Sequence, residues 1–229
     1  MTVNGTIFQY DNISSGSGSY TDMFRVQHTT SQQGYNYDGA SAAPFDQVGG
    51  VGIPHQLLTD LPVVTVGGVQ YIRLNFDANN ADGLVLTDFR MYVNDSGSPV
   101  YVNSTANLSN LGTLVYDFNA GGANTLTMTK FKSGSGTDDM SINIPLSILV
   151  GQNFNLSTAN AYFYASFTNT TGGFEEFAID KSLTSSVGTT LLPEAQPIWG
   201  GAGMAALGLV GMVVARRRKA VADTKVLPA

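Results

Sequence analysis

The sequence predicts an all-β fold, an antiparallel β-sandwich or jelly-roll ectodomain, followed by a single C-terminal transmembrane helix. Three observations support this prediction. Apolar and polar residues alternate in short runs along residues 1–181, turns rich in Gly, Ser and Asn separate these runs, and an uncharged apolar segment lies near the C-terminus. Alternation with a period of two is typical of half-buried strands, and about ten such runs suit two packed antiparallel sheets.

The composition is that of a polar globular chain with few charges. Of the 229 residues, 43% are hydrophobic and only 12% are charged, with 26 glycines and no cysteine. Such a chain is neither a disordered acidic protein nor a small domain held together by disulfides. The net charge of −6 also argues against a nucleic-acid partner, because affinity for nucleic acid comes mainly from neutralised phosphates.

The predicted strand at residues 70–78 shows the alternation most clearly. Ile72, Leu74 and Phe76 fall on one face, and Tyr71 and Arg73 fall on the other. The same pattern predicts strands at residues 6–10, 24–28, 62–66, 84–93, 113–118, 125–131, 141–144, 161–167 and 174–180. We assign residues 1–181 to the ectodomain and residues 182–192, rich in Ser and Thr, to a flexible stalk.

The C-terminal segment has the charge pattern of a membrane anchor. No charge occurs between Glu194 and Arg216, and residues 198–215 would span about 30 Å as a helix, the thickness of a bilayer core. Arg216, Arg217, Arg218 and Lys219 follow directly and predict a cytoplasmic end, whereas Trp199 suits the opposite interface. Residues 220–229 then form a cytoplasmic tail, and residues 1–192 lie outside the cytoplasm.

The first residues carry neither the basic nor the apolar segment of a signal peptide. Because the predicted topology requires export, we expect the true start of the chain to lie upstream.

The tail resembles a known bacterial sorting signal. Pro193 and Glu194, the Gly- and Leu-rich span and the basic cluster are similar to the PEP-CTERM signal, which an exosortase-type membrane enzyme is thought to process in exopolysaccharide-producing bacteria. Residues 24–36, 65–79, 133–140 and 162–179 also resemble one group of PEP-CTERM proteins whose activity is unassigned. The resemblance implies a bacterial protein that is membrane-anchored at the cell surface, or secreted after processing. It departs from the usual motif at Ala195, where the family has proline, and in the residues after Lys219.

No catalytic constellation is evident in the sequence. His28 and His55 are the only imidazoles, and neither belongs to a recognisable nucleophile or metal motif. Glu175 and Glu176 are adjacent, so on a strand they would point to opposite faces rather than flank one glycosidic bond. We predict a non-enzymatic protein, in which one of these two acids faces solvent.

Calcium is the only cofactor for which the sequence offers candidate ligands. Short oxygen-bearing side chains occur at Asp77, Asn79, Asp82 and Asp88, and three of them match the first, third and twelfth positions of a calcium loop. The flanking residues predict strands instead of helices, so a plain turn rich in Asp and Asn is the preferred interpretation. Asp138 and Asp139, which follow a Ser-Gly repeat, are expected in a solvated turn.

Two functions fit these observations. The first is a surface-anchored, non-catalytic structural protein of the extracellular matrix, whose partners are the lipid bilayer and an exosortase-type enzyme. The second is a carbohydrate-binding module for exopolysaccharide, in which Tyr71, Tyr162 and Tyr164 offer aromatic faces to sugar rings. Aromatic residues at alternate strand positions are more often part of the core, so exposed rings would favour binding and buried rings would favour a structural role.

Overall fold

Antiparallel strands make up most of the described chain. The computed structural model describes residues 1–10, 20–37, 43–48, 56–79, 83–128 and 138–191. The strands are β1 Thr2–Val3, β2 Thr6–Tyr10, β3 Tyr20–Tyr35, β4 Gln47–Val48, β5 Val63–Val66, β6 Val69–Ala78, β7 Leu84–Asn94, β8 Thr113–Asp117, β9 Leu126–Met128, β10 Met140–Pro145 and β11 Asn160–Asp180. Short 3-10 helices occur at Leu58–Asp60, Thr105–Leu111 and Leu146–Leu149, and one α-helix, α1, at Val187–Leu191. The prediction of an all-β fold is confirmed.

The strands join into one large antiparallel sheet. Its main path runs in the order β1-β2-β10-β6-β11-β3-β4, with β5 added to β6 and with β7 joining β11 to β8 and β9. The predicted strands at residues 161–167 and 174–180 are two parts of β11, and the strand at 24–28 is the centre of β3. Of the strand predicted at 125–131, β9 covers three residues, and residues 129–131 lie outside the described part.

The longest strand, β11, connects two regions of the sheet. Its first part pairs with β7 from Asn160 to Thr168, and its later part pairs with β6 around Glu175 to Ala178. Along its other edge, β11 pairs with β3 from Tyr164 to Asp180, with register shifts that mark bulges. The β3–β11 pair is therefore the ribbon from which β6 and β7 diverge.

The apolar core lies inside a curled sheet. The ring of Phe8 in β2 lies 6.2 Å from the ring of Phe89 in β7 and 5.5 Å from that of Phe118, although β2 and β7 are not paired strands. At the centre, Phe177 of β11 stacks on Phe24 of β3 with ring centroids 4.5 Å apart. The sheet must curve over its apolar face to bring these strands together.

Residues 182–191 pack on the domain, which corrects the prediction of a flexible stalk. Ser186 forms an isolated bridge with Pro62, and the Val187 amide donates to the Leu61 carbonyl at 2.9 Å. The Val187 side chain is fully buried, and Leu191 packs against the main core. Burial of this apolar side chain explains why a segment rich in Ser and Thr is held in place.

The predicted anchor falls outside the described residues. Within the described part of the chain, no helix is long and apolar enough to cross a membrane. The predicted span at 198–215 and the sorting-signal residues lie beyond it: Pro193, Glu194, Trp199, Arg216, Arg217, Arg218 and Lys219.

Candidate functional site

Buried carboxyl groups gather around the end of β6. Asp77, Asp138, Asp139, Glu175 and Glu176 are each at most 2% exposed, and we call these five residues the acidic cluster. Strand pairing brings them together, because Glu176 lies opposite Asp77 and Met140, which follows Asp139, lies opposite Phe76. Charged groups are rarely buried to this degree without compensating contacts.

The acidic cluster corrects two expectations from the sequence. Asp138 and Asp139 do not form a solvated turn, since they are 1% and 2% exposed. Glu175 and Glu176 lie on consecutive positions of β11, yet neither faces solvent, because both faces of the strand are covered here. Alternation along one strand cannot reveal this covering, which residues distant in sequence supply.

Two of the carboxylates bind backbone amides at the end of β6. Asp139 accepts a hydrogen bond from the Ala78 amide at 3.0 Å, and Glu175 accepts one from the Asn79 amide at 3.1 Å. An additional bond runs from the Asp139 amide to the Phe76 carbonyl at 2.9 Å. Through these hydrogen bonds the two acids fasten the end of β6 to β10 and β11.

Glu176 is the acid whose environment is most clearly defined. Arg25 of β3 forms an ion pair with it, and Arg25 also pairs with Asp22 and lies over the Phe174 ring at 5.7 Å. Burial raises the pKa of Glu176 above its ordinary value, and the nearby Arg25 opposes this rise. Asp77 lies opposite Glu176 in the pairing of β6 with β11, so the two carboxyl groups are neighbours.

The residues predicted to bind calcium do not converge. Asp77 and Asn79 lie at the acidic cluster, whereas Asp88 lies on β7 opposite Ser166 and pairs with Arg90 at 2.9 Å. Asp82 lies outside the described residues. Among the described residues, no group of three or more His, Asp or Glu side chains has an arrangement that could hold a metal ion. Calcium binding therefore stays a prediction.

Asp88 and Arg90 belong to a separate polar network on β7. Burial raises the pKa of Asp88, while Arg90 opposes the rise. Asp117 of β8 lies 3.8 Å from the Arg90 guanidinium. The network links β7 to β8 and is an intramolecular arrangement in which Arg90 already has several partners.

Tyr162 and Tyr164 lie inside a second, smaller core. Together with Tyr35, Tyr37, Tyr92, Val102, Leu108 and Leu111 they form what we call the tyrosine cluster. Tyr162 is 3% exposed and Tyr164 is 2% exposed, so neither ring offers a free face to a sugar. Buried rings are the outcome that favours a structural role, and the physical reason for their burial is the packing of Val102, Leu108 and Leu111 against them. Tyr71, on β6, is partly exposed and lies opposite Val64 and Pro145.

The hydroxyl groups of the tyrosine cluster are used within the fold. The Tyr35 hydroxyl donates to the Val100 carbonyl at 2.7 Å and accepts from the Val102 amide at 2.8 Å. The Tyr164 hydroxyl donates to Gln33 at 2.6 Å. Burial raises the pKa of Tyr35 and Tyr164, which keeps both phenols neutral. The bonds of Tyr35 tie residues 100–102 to β3, and the bond of Tyr164 ties β11 to β3.

Among the described residues, His28 is not paired with a nucleophilic side chain. The His28 ring nitrogen Nδ1 lies 3.0 Å from the backbone carbonyl of Ser31, on an exposed part of β3. His55 lies outside the described residues.

Comparison with protein-family models, curated proteins and solved structures finds no match to this chain. Its function must therefore be inferred from its own residues.

Proposed function

We propose that this protein is an exported, non-catalytic structural protein of the bacterial extracellular matrix, a β-sandwich ectodomain held at the cell surface by a PEP-CTERM-like tail. One observation carries the proposal. Residues 195–215 contain no charge, and Arg216, Arg217, Arg218 and Lys219 follow immediately. A basic cluster at one end of an uncharged apolar stretch anchors a helix and orients it with the cations in the cytoplasm.

The sorting motif adds a processing step to this proposal. Pro193 and Glu194 stand directly before the span, in the order that a PEP-CTERM-like signal has. We infer that an exosortase-type enzyme removes the tail, which releases the ectodomain or transfers it to another anchor. The partners of the protein are then the bilayer, the processing enzyme and the matrix.

The packing of the described domain supports a structural role over carbohydrate binding. Exopolysaccharide recognition rested on the rings of Tyr71, Tyr162 and Tyr164. Tyr71 is partly exposed, but Tyr162 and Tyr164 are buried and their hydroxyls bind within the domain. Phenylalanine rings fill the main core, with Phe177 stacked on Phe24 and packed against Phe76 at 4.9 Å. Aromatic side chains used in this way stabilise a domain instead of forming a binding platform.

The test is the mass of the mature surface form. An epitope inserted between Gly121 and Gly122 reports the ectodomain, since a side-chain atom added at either glycine meets nothing within 4 Å. The protein is expressed in a bacterium that has an exosortase and in a matched strain that lacks it. We expect the segment after Pro193 to be lost only in the first strain, and a Glu194→Ala variant to keep the full mass in both.

Two outcomes would contradict the proposal. Retention of the whole tail in both strains would make the protein a resident single-span membrane protein and would overturn the sorting signal. Recovery of the tagged protein in the cytoplasm of both strains would overturn export itself.

A further inference from the structure

One face of the domain exposes apolar side chains around a shallow depression. The depression has a volume of about 400 Å³. It is lined by the six residues Gly68, Val69, Leu146, Val150, Thr190 and Leu191, and by the uncharged polar residues Gln70 and Ser147. Val69 is 48% exposed and Val150 is 66% exposed, the highest value among the large hydrophobic residues described. We call these six residues the apolar face.

The segments that build the apolar face carry no charge. Residues 61–72 supply the β5–β6 turn, residues 140–159 supply the helix Leu146–Leu149 and Val150, and residues 182–191 supply α1. None of these three segments contains Asp, Glu, Lys or Arg, in a chain whose net charge is −6. An acidic domain that approaches an anionic surface meets the least repulsion through such a face.

The apolar face also lies at the point where the described chain ends. Leu191 is its last described residue, and the predicted span begins at Ile198. The intervening six residues reach at most about 20–25 Å when fully extended. Leu191 is therefore close to the bilayer surface whenever the span is inserted.

We propose that the apolar face rests on the lipid bilayer, with Val69 and Val150 at the boundary between headgroups and acyl chains. This inference rests on the proposed membrane anchor and applies before the tail is removed. Burial of exposed valine side chains at an interface is favourable by about 25 cal/mol per Å² of apolar surface, and no charged group of these segments has to be desolvated. The anchor makes the contact intramolecular, so that a weak surface affinity suffices.

The absence of cysteine makes a direct test simple. Single cysteines at Val69→Cys, Val150→Cys and, as a control, Tyr10→Cys are labelled with the environment-sensitive dye NBD in the full-length chain. Tyr10, on β2, is 41% exposed. It pairs with Met140 of β10, and Met140 pairs with Phe76, so Tyr10 lies level with the end of β6 that is opposite Val69. Phe76 is seven residues from Val69, which is about 23 Å along a strand.

The labelled proteins are expressed without exosortase and reconstituted in vesicles of phosphatidylethanolamine and phosphatidylglycerol that contain lipids with a nitroxide quencher. We expect NBD at positions 69 and 150 to be quenched at least twofold and to shift its emission to the blue, relative to the same protein in detergent. NBD at position 10 should show neither change.

Each other result has a distinct meaning. If the protein resists carbonate extraction but positions 69 and 150 are quenched no more than position 10, the apolar face does not contact lipid and the anchor stands. If the protein is washed off the vesicles, the anchor and this inference both fail. If the unlabelled Val150→Cys protein instead forms disulfide dimers in the vesicles, a second copy of the chain covers the face and the lipid contact is overturned.

Discussion

Glu176 shows how burial and pairing oppose each other at a single residue. Its side chain is 1% exposed beside Asp77, and Arg25 supplies the opposite charge. Burial has the larger effect, because the pKa of Glu176 is raised despite the ion pair. The charged form of this side chain is therefore held at a cost, which Arg25 and the Asn79 side-chain amide, 3.4 Å from Glu176, offset only in part.

The raised pKa predicts how Glu176 affects stability. The folded state binds the Glu176 proton more tightly than the unfolded chain does. The contribution of Glu176 to the free energy of unfolding is therefore complete below about pH 4.3, the ordinary pKa of glutamate, and is lost as pH rises through the raised pKa. We expect the wild type to lose stability relative to Glu176→Gln as pH rises from about 4.3 to the raised pKa, by about 1.4 kcal/mol for each pKa unit of the rise.

Urea unfolding at a series of pH values measures this difference. The exposed Asp60, changed to Asn, is the matched control and should track the wild type more closely. If the wild type instead gains stability over Glu176→Gln as pH rises, the ion pair with Arg25 outweighs burial and the assignment is incorrect.

The β3–β11 ribbon is the element that organises the sheet, and it contains backbone strain at its bulge. Asn169 is left out of the pairing between the two strands and has φ 60°, a conformation that Asn tolerates. Thr30, in the facing strand, has φ 78°. A β-branched residue is unfavourable in this region of φ, so contacts between the two strands must hold Thr30 in this conformation. One such contact close to Thr30 is the hydrogen bond from the Thr170 hydroxyl to the His28 carbonyl at 2.7 Å.

Replacement of Thr30 by glycine should stabilise the protein. Glycine adopts a positive φ without a steric cost, and the Thr30 side chain is exposed, so little packing is lost. We expect Thr30→Gly to raise the free energy of unfolding by about 1 kcal/mol in urea titrations. Thr29→Gly, at a neighbouring exposed position without a positive φ, should lower it by about 0.5–1 kcal/mol. Equal losses in both variants would mean that Thr30 is not strained.

The segment that carries α1 is the second element with a consequence for function, because the predicted anchor follows it. Val187 is fully buried among core residues, and its amide bonds to Leu61. The described chain therefore ends at Leu191 on a segment that is fixed to the domain.

Truncation of Val187 tests whether this segment belongs to the folded unit. We expect Val187→Ala to lower the free energy of unfolding by about 2 kcal/mol, from two lost methyl groups and the cavity that they leave. Thr184→Ala, at an exposed position of the same segment, should change it by less than about 0.5 kcal/mol. A cost for Val187→Ala as small as that for Thr184→Ala would restore the interpretation of residues 182–191 as a stalk.

At the scale of the whole molecule, the sequence predicted strands well and their continuity poorly. The alternation of Ile72, Leu74 and Phe76 depends only on local burial, and β6 is found where it was expected. The length of β11 was missed because Asn169 and Gly172 resemble turn residues, whereas here they form bulges within one strand. Local pattern does not distinguish these cases, since the partner strand β3 decides between them.

The candidate site was harder to predict than the fold. Asp138 and Asp139 were expected in a solvated turn, and one of Glu175 and Glu176 was expected to face solvent, because charge normally means exposure. They come together because β6 pairs with β10 and with β11. These strands are far apart in the sequence, so the alternation within any one strand does not predict their pairing. For the tyrosine cluster, the alternation of Tyr162 and Tyr164 correctly placed both on one face, but the residues that cover this face come from 100–111.

The curvature of the sheet can be tested directly. Phe8 and Phe89 belong to strands that are not paired, and their rings meet edge to face across the core at 6.2 Å. A double-mutant cycle with Phe8→Leu and Phe89→Leu, measured by urea unfolding, should give a coupling energy of about 0.5–1.5 kcal/mol. Phe8→Leu combined with the exposed Thr184→Ala should be additive within about 0.5 kcal/mol. Because only a sheet that curves over its own core brings β2 and β7 into contact, a coupling no larger than this control would mean that the sheet is open.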